Sequence, residues 1–376
     1  MSAKGPLRVV VAPQEFKGTL SAAAAAEAIR RGLHAARPDW QLSLFPLADG
    51  GPGTVELVLA RVPGAQRRMS RVADPLGRPV DAAWAVLPPG DVAVLEMAQA
   101  SGLTRLTPQE RRPLDASTTG TGQLIRAALD AGCRRIIVGA GGSATTDGGA
   151  GALNALGVRF LDGEARVLEP TPRRLAGCAS LDTSGLDHRL ARAELEVWTD
   201  VKSPLLGPSG ASHLFARQKG ATGWDVVFLE GLLRRLTGLV SGGAALARAP
   251  GSGAAGGLAW GLSSLCNATL RPGFLSLAAL VGLDRQLAGA QLVVTGEGRL
   301  DAQTPADKGP WGLAQLARRH RCRVVAFVGA CELPASRWKE RFDEVVSLGP
   351  PHGEPAAALE RCARAWAETS SRATRT

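Results

Sequence analysis

Two stretches of strand–helix alternation, one at each end of the chain, enclose a middle written in a different pattern. At the N-terminal end, Leu7–Ala12 reads as a short apolar strand, and Ser21 is placed to cap a helix running through Ala36. Gln41–Leu47 reads as a second strand, and the turn Asp49-Gly50-Gly51 leads into a helix over Thr54–Arg61. At the other end come a strand Leu292–Thr295, the loop GEGRLDAQT, a helix Gly312–His320, strands Val324–Val328 and Glu344–Leu348, and a helix Ala356–Ala367. Alternation of this kind calls for a parallel sheet with helices on both faces. The middle instead carries Met69–Val72, Val80–Leu87 and Val92–Glu96, joined by the turn signals DPLGRP and PPGD, which predict hairpins or a mixed sheet. One style flanking another predicts an inserted domain, and 376 residues suffice for two sizeable cores.

Within the middle, residues 135–160 (RRIIVGAGGSATTDGGAGALNALGVR) combine three features. Arg135–Val138 reads as a buried strand and Gly148–Leu156 as a small-residue helix. The loop between them holds Gly139, Gly141, Gly142, Ser143, Thr145 and Asp147. Glycines let a backbone turn tightly and approach a ligand, and a helix start presents free N–H groups, so this order suits a phosphate or another anion. A tight β–α turn with capping hydroxyls explains the same residues equally well.

Composition narrows the partners. The net charge is +10, but the positive residues are spread along the chain, aromatics are 4%, and no nucleic-acid recognition module is present. No apolar run reaches membrane-spanning length and the N-terminus enters a strand, so a cytoplasmic protein is expected, with neither nucleic acid nor membrane as partner. The six cysteines have no C-x-x-C pair and no metal-like spacing to the five histidines, which predicts reduced thiols. Only six of the 44 basic residues are lysines, and Lys17, Lys202, Lys219 and Lys308 fall in or beside the motifs below.

Several strand-end loops carry polar groups with two readings each. Lys17, after the first strand, can reach a phosphate or carboxylate at the sheet's C-terminal edge, or be a surface lysine beside a cap. Asp49 ends the second strand as a cleft carboxylate or a turn former. Thr118-Thr119-Gly120-Thr121-Gly122 opens a helix over Gln123–Ala131, capping it or cupping an anion. Asp200 follows the strand Leu195–Trp198 and can orient a hydroxyl or hold Mg²⁺, and Lys219 is a point charge suited to phosphate; an ordinary turn and a surface lysine remain the alternatives. Gly251–Gly257 formally fits G-x-G-x-x-G but lacks a preceding strand and a following acid, so a hinge or close packing competes with a dinucleotide site. Glu297, Arg299 and Asp301 follow a strand and can bind metal and carboxylate, or pair with one another.

In order and wording these loops resemble the type I glycerate kinase family over nearly the whole chain. The matching runs are APQEFKGTLSA, LADGGPGTVE, LEMAQASGL, TGTGQLI, GAGGSATTDGGAGALNALGVRF, TDVKSPLLGPSGAS, QKGA, PGSGAAGGL and TGEGRLDAQT. The resemblance implies an α/β fold of two α/β domains, a discontinuous Rossmann-like domain with a second α/β domain inserted; the boundaries expected are 1–64 with 287–376, and 65–286. It implies ATP- and Mg²⁺-dependent phosphorylation of D-glycerate, usually to 2-phosphoglycerate, by a monomer or homodimer. Under it, Asp200, Asp49 and Lys17 are the catalytic candidates, and Arg299 and Lys219 the substrate-binding ones. Gly141, Gly142, Ser143 and Thr145 would take nucleotide phosphates, with Asp301 and Glu297 nearer the metal. The chain departs from the family pattern at Gln14-Glu15, where Asp-Ser is usual, and at Pro52, Gln123 and near Leu275, where Glu is usual. It departs also at Thr146 and Ser203, usually Asn, and at Asp307, usually Gly. Several of these exchange a carboxylate for a neutral group, so lower metal affinity or altered substrate choice is expected. Two competing readings are a catalytically weak relative that binds glycerate or nucleotide as a sensor or partner protein, and an NAD-dependent oxidoreductase resting on Gly251–Gly257 alone.

Overall fold

Thirteen strands are formed among the described residues of the computed structural model, which describes 6–16, 18–301, 309–349 and 354–370. The chain enters through β1 (Arg8–Val11) and β2 (Gln41–Leu44). It continues with β3 (Gln66–Ala73), β4 (Pro79–Leu87), β5 (Val92–Glu96), β6 (Arg135–Gly139), the short pair β7 (Arg159–Leu161) and β8 (Ser180–Asp182), β9 (Glu194–Trp198) and β10 (Thr269–Arg271). It ends with β11 (Leu292–Leu300), β12 (Arg323–Cys331) and β13 (Glu344–Ser347). Two compact units result, 1–48 with 277–376, and 49–276.

In the first unit all pairings are parallel and the order is β13-β12-β11-β1-β2, so strands from both chain ends share one sheet. This is the discontinuous Rossmann-like arrangement. Val9, Val11, Leu292, Val294, Val325 and Phe327 follow the two-residue period onto one face, where helices Ala22–Ala36 and Pro355–Ser370 bury Ile29, Leu33, Leu359 and Trp366 against them. Ser21 caps the first of these helices by accepting from the Ala24 N–H. At their contact a Cβ on Gly32 would lie 2.2 Å from the Glu360 carbonyl oxygen, so glycine is what permits the approach. Helix Gly309–Arg319 packs on β11 and β12.

One expectation is corrected here. Gly296 to Leu300 are not a loop but the second half of β11, paired with β12 as far as Leu300 opposite Cys331. Isolated glycines weaken a strand, but here they admit a neighbour: a Cβ at Gly296 would lie 2.2 Å from the Phe327 carbonyl oxygen. Tertiary pairing outweighs local propensity.

The second unit holds a six-stranded mixed sheet, β10-β9-β6-β5-β4-β3. β5, β6, β9 and β10 run parallel, and the hairpins β3–β4 and β4–β5 supply the antiparallel side that the turn signals predict. Leu95, Ile136, Val138, Leu195 and Val197 form the buried centre with Leu124, Ile125 and Leu153 from helices Thr119–Asp130 and Ala150–Ala155. Helix Thr54–Arg61 packs on β4 and β5 in this unit. The helix expected from Gln123 begins at Thr119, so the Thr/Gly run is its first turn. Its glycines serve packing: a Cβ at Gly120 would lie 1.9 Å from the Ala73 carbonyl oxygen, and one at Gly122 2.4 Å from that of Ala152. Among the described residues no helix is long and apolar enough to cross a membrane.

Candidate functional site

Three parallel strands of the second unit end together, β5 at Glu96, β6 at Gly139 and β9 at Trp198. The loop 49–53 lies against this edge. The Gly141 N–H donates to the Gly50 carbonyl at 3.2 Å, and a Cβ at Gly139 or Gly141 would come within 2.2 Å of Gly50 O or 2.4 Å of Gly51 Cα. No residue but glycine fits at either position. Asp49 Oδ1 accepts from the Gly51 N–H at 3.2 Å. Asp200 Oδ2 accepts from the Phe274 N–H at 3.0 Å, and the adjoining Gly273 lies so near the Asp49 carbonyl that a Cβ there would stand 2.1 Å from it. Asp49, Asp200 and the glycine loop therefore share one sheet edge.

The loop's backbone divides into two sets of donors. Ala140, Gly141 and Ala144 N–H groups are used, by the carbonyls of Trp198, Gly50 and Ser101. Those of Gly142, Ser143, Thr145, Thr146 and Asp147 find no acceptor among the described residues. The buried hydroxyls of Thr145 and Thr146 also lack a partner. Thr145, Thr146 and Asp147 are buried, where unmatched polar groups are costly; with half-buried Ser143 and exposed Gly142 they form a row of donors that an anion can satisfy.

Lys219 reaches this loop from a 3₁₀ turn, Arg217–Lys219, with its side chain 2% exposed. Its ammonium donates to Ser143 Oγ at 2.8 Å and to the Thr145 carbonyl at 2.6 Å. Burial pushes its pKa down to about 7, against the opposing pull of Asp147. Asp147, fully buried, accepts from the Thr118 N–H at 2.8 Å, the Thr118 hydroxyl at 2.7 Å, and the Gly149 and Gly151 N–H groups at 3.0 and 3.1 Å. Burial raises its pKa while these bonds hold it down. The Thr118 hydroxyl in turn accepts from the Ala152 N–H, so Asp147 and Thr118 join the starts of two helices. Thr118 is thus tied to Asp147.

Glu96 was not singled out by the sequence reading. It is 1% exposed at the end of β5, accepts the Val55 N–H at 2.5 Å, and has its pKa raised by burial. A carboxylate closing the apolar run Val92–Leu95, ahead of a helix start brought there only by folding, was the available signal.

The remaining candidates lie in the first unit. Glu297 and Arg299 occupy alternate positions of β11, opposite Val328 and Ala330, and Asp301 directly follows the strand. Arg299 pairs with Glu332 at 2.9 Å, both side chains more than half exposed. Lys17, Lys308 and Asp307 lie outside the described residues. Among the described residues no three His, Cys, Asp or Glu side chains group at metal-holding range. The G-x-G-x-x-G match is preceded by helix Gly243–Leu246, and its glycines serve contact: a Cβ at Gly253 would lie 2.2 Å from the Pro204 carbonyl oxygen, and one at Gly256 2.0 Å from that of Thr145.

The parallel strand ends of this mixed sheet carry a donor-rich glycine loop, a buried lysine and two carboxylates, the arrangement of an α/β protein with polar groups gathered at the edge where such folds hold ligands. The profile of the glycerate kinase family matches residues 9–376, and the chain belongs to that family of kinases. It is 40% identical over 348 residues to the glycerate kinase of Bacillus subtilis strain 168, covering 92% of this chain and 91% of the relative. It is 38% identical over 326 residues to the glycerate 2-kinase of Escherichia coli K12, covering 86% and 85%. A crystal structure from Salmonella typhimurium LT2, assigned as a glycerate kinase 2, superposes with a TM-score of 0.78 at 37% identity, over 99% of this chain and 100% of that one.

Proposed function

We propose that the protein transfers the terminal phosphoryl group of ATP to D-glycerate, forming 2-phosphoglycerate, with Mg²⁺ as the metal. The observation that carries this reading is the set of five N–H groups and two buried hydroxyls without acceptors, beside buried Lys219. The phosphates of ATP would accept from the loop through Gly141, Gly142, Ser143 and Thr145, the free N–H groups beginning at Gly142. The regiochemistry rests on the relative named glycerate 2-kinase.

A secondary hydroxyl is a poor nucleophile until its proton leaves. Asp200 takes that role: its carboxylate accepts the proton as the hydroxyl oxygen bonds to the γ-phosphorus and the bond to the ADP oxygen breaks. Asp49, on the same edge, orients the acceptor hydroxyl. Lys219, Arg299 and Lys17 meet the negative charge of substrate carboxylate and phosphate. Glu297 and Asp301 are hard oxygen donors of the kind Mg²⁺ takes and would hold the ion. When bound, the ion offsets charge on the phosphates. The reaction needs neither nucleic acid nor membrane, and we assign it to the cytoplasm and to a monomer or homodimer.

The test is a coupled assay with ATP, Mg²⁺ and D-glycerate, the product read by phosphorus NMR. Turnover giving 2-phosphoglycerate is expected. ATP binding without turnover would favour a sensor, and NAD binding an oxidoreductase.

A further inference from the structure

The first unit has a concavity at the edge of its sheet where strands begin, with a floor that includes Val9, Val10 and Leu42. Arg8 opens β1 and Gln41 opens β2, and beside them runs a groove of about 270 Å³ lined also by Ser43, Arg285, Gln286 and Gly289. Substrate sites of open parallel sheets lie at the other edge, where strands end. In this same sheet that is where β11 brings Glu297 and Asp301.

Three observations give the groove a chemistry. No lining residue is acidic. Neither guanidinium has a carboxylate within ion-pair reach among the described residues, although many other arginines of this chain do. Each guanidinium is laid on a glycine: a Cβ at Gly289 would stand 3.2 Å from Arg8 Nη1, and one at Gly282, where φ is +71°, 2.8 Å from Arg285 Nη2. The two charges are thus seated against backbone. The Ser43 hydroxyl donates to Gln286 Oε1 at 3.3 Å, which leaves the Gln286 amide N–H groups as further donors.

We propose that this groove is a binding site for a small dianionic oxyanion, inorganic phosphate or a small phosphomonoester, separate from the substrate site. Planar guanidinium groups match phosphate in bidentate fashion, and a net charge of +10 raises the local anion concentration. The volume lies just below that of pockets for drug-sized ligands, which selects a ligand of a few heavy atoms around its phosphate.

The experiment is calorimetric titration of the full chain at low salt with inorganic phosphate and, separately, with glycerol 2-phosphate. Wild type, the R8Q/R285Q double variant and Gly142→Val are compared. We expect the double variant to lose one binding event, or to weaken it about tenfold or more, while Gly142→Val retains it. Binding of either probe supports the site, and the stronger one identifies the source. Equal titrations of wild type and double variant, or no event in wild type that Gly142→Val retains, would overturn the proposal. Loss confined to Gly142→Val would leave the nucleotide loop standing and this groove refuted. Should the double variant not fold, Arg285→Gln alone, exposed on the short helix Leu283–Leu287, makes the same test.

Discussion

Replacing Lys219 with Met should make the protein more stable near pH 6 and less able to bind ATP. Moving the ammonium's pKa from its ordinary 10.5 to about 7 corresponds to roughly 5 kcal/mol against the charged form. Below pH 7 the lysine is charged in both folded and unfolded chains, and the whole penalty weighs on the folded state. Between about pH 7 and 10.5 the unfolded chain holds more protons, so wild-type stability rises with pH across that window. Met keeps the apolar stem but removes the donor to Ser143 Oγ and the Thr145 carbonyl, a loss of about 1–3 kcal/mol for each acceptor left unmatched. At mid-range the two losses come to about 4 kcal/mol, so the variant is more stable than wild type by about 1 kcal/mol near pH 6, with the advantage shrinking and reversing toward pH 10. Urea unfolding of both proteins, followed by tryptophan fluorescence at several pH values, measures the difference directly. A difference that stays constant from pH 6 to 10 would refute the reasoning, because it would mean that the buried amine does not titrate in this range.

Three further outcomes follow from the same geometry. Gly142 has φ of +74°, and a Cβ there would press on Pro52 at 3.1 Å and Ala98 at 3.3 Å; Gly142→Val should raise the ATP KM about tenfold or more with the circular dichroism preserved, and an unchanged KM in a folded protein would move the nucleotide elsewhere. Asp200→Asn keeps the shape and an acceptor for the Phe274 N–H but cannot take a proton, so kcat should fall at least ~100-fold; near-normal kcat would exclude Asp200 as base and leave Asp49 or Asp301 as the next candidates. Asp147→Asn turns one acceptor atom of a fully buried, fourfold hydrogen-bonded carboxylate into a donor facing donors. It should cost about 2–4 kcal/mol, non-additively with Thr118→Val, and a double-mutant cycle without coupling would refute an energetic link between Asp147 and Thr118 at the two helix starts.

What could be read before folding was what local pattern encodes. The alternation Leu7–Arg61 and the C-terminal strands placed the two chain ends in one parallel sheet, and hairpin signals placed β3–β5 in a mixed one. The misread segments are those whose partners are distant. Gly296 to Leu300 look like a loop because glycine is a poor strand former, yet β12 pairs alongside as far as Leu300 and the Gln14 N–H meets the Gly296 carbonyl from the other side. Thr119 to Gly122 look like a cap before a helix, yet glycine at 120 and 122 is set by the Ala73 and Ala152 carbonyls that a Cβ there would meet.

The site was legible as a loop but not as a device. Gly139, Gly141 and Gly142 announce close backbone approach. They do not tell that Gly139 and Gly141 approach the protein's own loop 50–51, while the N–H groups of Gly142, Ser143 and Thr145 to Asp147 find no acceptor among the described residues. Lys219 stands out in an arginine-rich chain, but its burial depends on a contact 76 residues away, with Ser143. A guanidinium would stay charged at that depth, whereas an amine can sit neutral until an anion arrives and then take up a proton. The scarcity of lysine, visible from composition, thus acquires a physical reason at Lys219: the position asks for a cation whose charge can wait for its partner. On this argument ATP binding above pH 7 carries proton uptake through Lys219. Titrations in buffers of different ionisation enthalpy should show it in wild type and lose it in Lys219→Met, and uptake that persists in the variant would assign the proton to another group.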